Sequence, residues 1–98
     1  MRLIDLEPRW LTPNLFIFRN PTGGNDWLTC KNVVMSMSEQ HNLIEQFPEY
    51  PAHNVAPCKP KVCWSFSTND FETITVHPSI DGSPSGNWHG FIKGGEIQ

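Results

Sequence analysis

V-C-W-S-F-S-T-N-D-F-E-T-I-T-V-H, residues 62–77, carries the clearest strand pattern in the chain. In its first half Val62, Trp64 and Phe66 alternate with Cys63, Ser65 and Ser67, the period of two expected of a strand with one apolar face. Its second half, residues 71–77, is β-branched and again nearly alternating, which suits a sheet surface. Between them Thr68-Asn69-Asp70 supplies turn residues, whose side chains bond readily to nearby backbone. Two strands joined by so short a turn pair antiparallel, so the chain is read first as β.

Working outward, residues 15–19, L-F-I-F-R, form a short apolar and aromatic run between Pro13-Asn14 and Asn20-Pro21-Thr22-Gly23-Gly24. Such punctuation at both ends marks a strand. Residues 26–30, D-W-L-T-C, suggest another, leading into V-V-M at 33–35. Ser36-Met37-Ser38-Glu39 has capping-box spacing, in which the serine accepts from the backbone N–H three residues on and the glutamate reaches back. The helix it starts covers about residues 37–47 and ends before Pro48. Its apolar positions Met37, Leu43, Ile44 and Phe47 fall near one face, with Glu39, Gln40, Asn42, Glu45 and Gln46 on the rest. Residues 48–60 hold Pro48, Pro51, Pro57 and Pro60 and are read as an extended loop. Residues 78–86 are read as a loop of Ser, Asp, Gly and Pro. Residues 88–93 form a last long strand, followed by the hairpin dipeptide Gly94-Gly95 and Glu96-Ile97. The expected fold class is α+β: a small, mainly antiparallel β domain with one covering helix, residues 1–98 forming a single domain.

Composition narrows the function classes. Aromatics make up 11% of the 98 residues and supply much of the core material. Seven Lys plus Arg against ten Asp plus Glu give a net charge of -3, without the clustered basic face of a nucleic-acid binder. Asp5 and Glu7 interrupt the apolar character of the N-terminal residues, so they read as neither signal peptide nor membrane anchor. Three cysteines without a secretory signal read as reduced thiols in a cytoplasmic protein.

Three chemistries are weighed against ordinary structural roles. Zinc would draw on Cys58 and Cys63 flanked by His53 and His77, but that cysteine spacing is at the edge of the zinc range and lacks a knuckle glycine. A small buried thiol and a loop thiol are the preferred reading of the pair. Hydrolysis would draw on His77, Ser79, Asp81, Ser83, Ser85 and His89. Residue types crowded in a loop are not a triad, which is defined by geometry, and Ser and Asp there ordinarily make turn hydrogen bonds. Trp27, Trp64 and Trp88 would suit a stacking platform, although tryptophans in so small a domain more often pack in the core.

Residues 71–97, F-E-T-I-T-V-H-P-S-I-D-G-S-P-S-G-N-W-H-G-F-I-K-G-G-E-I, resemble the signature of a small bacteriophage and prophage family of unknown function. Its members read P-S-[IV]-D, then S-G-H-W-H-G-F-[IV], then a turn and G-[ED]-[IV]. The opening M-R-L-I-D-L-E-P-R-W is similar as well, so the likeness touches both ends and is thin between them. An "ammonia monooxygenase" label often attached to that family is discounted, because the chain has no copper-ligand set. Many relatives carry F-x-C-P-x-C after the first strand. Here the segment is Phe18-Arg19-Asn20-Pro21-Thr22-Gly23, with Asn20 and Gly23 in the cysteine positions, and the His-Trp-His of the signature is Asn87-Trp88-His89. If the family uses those cysteines and histidines as a four-ligand structural site, this chain retains only His89.

The resemblance implies a metal-free member, with no cofactor, in which packing replaces coordination. The expected function is that of a phage-encoded, non-enzymatic binding protein acting on a host or phage protein in the host cytoplasm, a class that includes inhibitors of host defence. The alternative is a small enzyme or nucleotide-binding domain using the His77–His89 region. Binding candidates are His77, Asp81, Asn87, Trp88 and His89, with no catalytic residue assigned. His89→Ala is expected to cost stability through lost packing or a lost hydrogen bond.

Overall fold

The computed structural model describes residues 1–23, 27–48, 63–81 and 88–98. They form two antiparallel sheets and one α-helix, in the order β1 (Arg9–Thr12), β2 (Leu15–Arg19), β3 (Trp27–Lys31), α1 (Met37–Gln46), β4 (Ser65–Phe66), β5 (Val76–Asp81), β6 (His89–Lys93) and β7 (Glu96–Ile97). A 3-10 helix, Leu3–Leu6, precedes β1. Strands pair in sequence order within each sheet, β1-β2-β3 and β4-β5-β6-β7. The expected small α+β domain, mainly antiparallel β with one helix, is what the chain forms.

The middle strand of the first sheet explains the layering. Leu15, Phe16, Ile17 and Phe18 are all buried, so β2 is apolar on both faces and reads as a continuous run instead of an alternation. Phe16 and Phe18 join Leu28 and Cys30 of β3 against Val76, Ile80 and Ile92 from the other sheet and Ile74 just before β5. Leu15 and Ile17, on the opposite face, pack with Met35 and Leu43. Helix, three-stranded sheet and four-stranded sheet therefore stack as three layers. Each large side chain buried between them contributes about 1.5–3 kcal/mol.

Local chemistry fixes α1 as the sequence suggested. Ser36 Oγ accepts from the Glu39 backbone N–H at 3.2 Å, and Glu39 Oε1 accepts from the Ser36 N–H at 3.2 Å. Phe47 N–H donates to the Leu43 carbonyl at 2.8 Å, and Pro48 follows. Two side chains depart from the expected faces. Met37 is 40% exposed, whereas Gln40 is wholly buried and its Nε2 donates to the Met35 carbonyl at 3.4 Å. The turn leading into the helix carries its own acceptor, and Gln40 is the residue that can reach it.

The hairpin read from residues 62–77 is displaced. Val62 lies outside the described residues, β4 is only Ser65–Phe66, and residues 71–75 are not strand. Turn chemistry at Asp70 overrides their β propensity. Asp70 Oδ1 accepts from Glu72 N–H at 2.9 Å, and its carbonyl accepts from Thr73 and Ile74 N–H at 3.1 and 2.9 Å. Phe71 thereby turns inward and stacks on Trp10, 5.1 Å between centroids, in a cluster with Phe16.

The strand instead extends through Pro78 to Asp81, which the sequence reading placed in a loop. Val76 faces Ile92 and Ile80 faces Gly90, so β5 advances four positions while β6 advances two. Such a bulge is where a proline, lacking a ladder N–H, is tolerated in a sheet. Residues 33–35 are not strand either, and Val33 and Val34 are exposed. The expected loop at 48–60 falls almost wholly outside the described residues.

The hairpin closing the chain is as read. Gly94 and Gly95 have φ of 55° and 79°, the left-handed pair that matches the twist of flanking strands. The N-terminal residues then lie along β7. Leu3 N–H donates to the Gly95 carbonyl and Ile97 N–H to the Met1 carbonyl, both at 2.8 Å. Leu3 itself is fully buried. Neither this contact nor β1 was foreseen, because both segments are too short to show a period.

Candidate functional site

Alternation along β6 decides what the terminal motif can present. Gly90 and Ile92 are buried, while His89, Phe91 and Lys93 are exposed on the outer face of the four-stranded sheet. Phe91 is 42% exposed, and Lys93 Nζ stands 5.1 Å from its ring centroid. On β5 the exposed His77 is the register partner of Ser65, whose Oγ donates to the His77 carbonyl at 3.3 Å. Phe91 lies between the paired positions Gly90 and Ile92, opposite the bulged residues 77–79. Asp81 and His89 are register partners at the far end of β5. The fold therefore brings His77, Asp81 and His89 onto two neighbouring strands, with Phe91 among them; Asn87 lies outside the described residues.

Trp88 has a different role. Its ring meets Phe18 edge-on, 6.3 Å between centroids, and lies over Gly90, where a Cβ would come within 2.3 Å of Cζ2. Trp64 is likewise half-buried against the core and donates its indole N–H to the Ser79 carbonyl at 3.2 Å. Neither ring stands as an open stacking platform. Trp27 packs beside the second core cluster, under the Arg19 guanidinium at 4.5 Å.

Of the weighed zinc ligands, Cys58 and His53 lie outside the described residues, Cys63 is half-buried before β4, and His77 is exposed on β5. Among the described residues no group of three or more His, Cys, Asp or Glu gathers. Cys30 is wholly buried, and desolvation pushes its thiol well above the usual range, opposed weakly by the nearby Lys31 charge. At Asn20–Gly23, where the resemblance places a cysteine pair, hydrogen bonds shape the turn. Asn20 Oδ1 accepts from Thr22 N–H at 3.0 Å and from Thr22 Oγ1 at 2.7 Å, and Gly23 N–H donates to the Asn20 carbonyl at 3.1 Å. Of the serines weighed for hydrolysis, Ser79 is half-buried, and Ser83 and Ser85 lie outside the described residues.

A second place with binding chemistry was missed by sequence reasoning. Glu7, Pro8, Arg9, Arg19 and Trp27 line a surface concavity at the end of the first sheet. Strand pairing assembles it: Arg9 opposes Ile17, two residues before Arg19, and Arg19 opposes Trp27. No linear spacing signals such a grouping.

No helix among the described residues is long and apolar enough to cross a membrane. No protein-family model, curated protein or solved structure matches this chain, so its function is read from its own residues.

Proposed function

We propose that the chain is a small phage-encoded, non-enzymatic binding protein whose contact surface is the outer face of the four-stranded sheet. The observation that carries this reading is Phe91, 42% exposed on that face with Lys93 against its ring and the exposed His77 and His89 on the same two strands. An aromatic anchor rimmed by polar and charged side chains is the usual anatomy of a protein–protein contact. The resemblance to a phage family adds the setting: a host protein in the cytoplasm, with inhibition of a defence system as the class of role.

A second reading keeps the same strands but makes them a ligand site, favoured by the register pairing of Asp81 with His89. The two separate by experiment. Immobilised protein and its Phe91→Asp variant are incubated with host lysate, and a parallel metabolite screen records thermal shifts. One host protein retained at stoichiometric level by the parent and lost by Phe91→Asp supports a protein partner. Retention by both forms removes Phe91 as the anchor, while a metabolite that raises Tm, with the shift abolished in His89→Ala, supports the ligand site.

A further inference from the structure

We infer that the concavity lined by Glu7, Pro8, Arg9, Arg19 and Trp27 is a carboxylate-binding site that the chain's own Glu7 occupies. The site is separate from the outer sheet face. Arg19 lies over Trp27 with its guanidinium carbon 4.5 Å from the ring centroid, an arrangement that holds the planar fork in place and leaves its N–H edge to meet an acceptor. The Glu7 carboxylate fills that position, taking the Arg19 Nε–H. It is thus a carboxylate, bound as a ligand carboxylate would be, in the lining of the concavity.

Two features make Glu7 displaceable. The pair is solvated, with 40% of the Arg19 side chain and 66% of the Glu7 side chain exposed, and exposed ion pairs hold weakly. Glu7 also sits at φ 52° and ψ 51°, a left-handed conformation uncommon for a non-glycine residue and further disfavoured before a proline. Arg9 also lines the concavity, with its guanidinium 6.0 Å from the Phe47 ring. The ligand is an acid whose apolar body rests on Trp27 and Pro8 while its carboxylate meets Arg19. It comes either as a small aromatic acid or as the C-terminal carboxylate of a peptide ending in an aromatic residue.

The test follows the Trp27 indole N–H resonance, assigned with Trp27→Phe, during titration with sodium benzoate, with benzamide, and with a short peptide ending in phenylalanine as free acid or amide. Benzoate and the free acid should shift the resonance saturably and the two amides should not. The tighter of the two acids identifies the source. Glu7→Gln, which removes the internal competitor's charge, should lower Kd about two- to fivefold, the range an exposed ion pair allows. Arg19→Gln should abolish the shift. Amides that act like acids, or a Kd that Glu7→Gln leaves unchanged or raises, would overturn the inference, and the Glu7→Gln comparison decides even if Arg19→Gln fails to fold.

Discussion

Gly90→Ala isolates the physical reason for a glycine in the middle of β6. A Cβ at this position would lie 2.2 Å from the Gln98 carbonyl oxygen and 2.3 Å from Trp88 Cζ2, so both must give way. The shift of the indole weakens its edge-on contact with Phe18, worth about 0.5–1.5 kcal/mol beyond area burial. The shift of the chain end strains the paired bonds between Phe91 and Gln98, both 2.9 Å, each worth about 0.5–1.5 kcal/mol. Partial loss of both agrees with the roughly 1–3 kcal/mol typical of overpacking. For a domain of this size each kcal/mol moves Tm by about 4–8 °C, so a loss on the order of 2 kcal/mol lowers Tm by about 8–16 °C. Gly94→Ala is the control: its φ is +55° but nothing lies within 4 Å, so only backbone strain is added, about 1–2 kcal/mol. Thermal unfolding followed by near-ultraviolet circular dichroism, which sees the Trp88 environment, should therefore rank Gly90→Ala at or below Gly94→Ala. A Gly90→Ala protein melting within about 2 °C of the parent would refute the close approach on which the reasoning stands.

Three further outcomes are expected. Thr29 Oγ1 is buried without a hydrogen-bond partner, so Thr29→Val should be neutral or stabilising by up to about 1 kcal/mol, read as an unchanged or raised denaturant midpoint. Burial raises the Cys30 pKa in the folded state only. Above about pH 8.5 the unfolded thiol therefore ionises while the native one does not, and stability falls with rising pH by up to about 1.4 kcal/mol per unit, a slope that Cys30→Ala removes. Excess chelator should leave Tm unchanged, because hydrogen bonds of Asn20 hold the turn that the family resemblance would assign to a metal, and a drop in Tm would contradict this.

What the sequence disclosed depended on how local the cause was. L-F-I-F-R declared β2 because an apolar run between turn residues needs no distant partner to be read, and the same holds for the Ser36–Glu39 capping box and the Gly94-Gly95 turn. Residues 71–75 misled because their β-branched pattern competes with Asp70, whose side chain and carbonyl together fold the next four residues into a turn, while Val76 and His77 are strand as read. The contact of Leu3 with Gly95 is a product of pairing across most of the chain, invisible to any window of sequence, whereas β1, paired to its neighbour β2, is too short to show a period. The concavity at Arg19 and Trp27 escaped because strand register, not linear spacing, assembles it. His89 faces outward on β6, and His89→Ala is expected to cost stability through a lost packing contact or hydrogen bond, read as a lowered Tm.

The opening and closing segments of the chain are not independent. Residues 1–3 lie along β7, Arg2 Nε is 3.7 Å from Glu96 Oε1, and Leu3 bonds to Gly95, so the opening and closing stretches are two halves of one packed edge. Much of W-H-G-F-I-K-G-G-E-I follows from that. Gly90 makes room for Trp88, Ile92 fills the core, Gly94 and Gly95 turn the chain, and Glu96 meets Arg2. Strand parity leaves His89, Phe91 and Lys93 facing outward. A partner that reads β6 can touch only these three, and for that reason Phe91→Asp separates binding from folding where Gly90→Ala cannot.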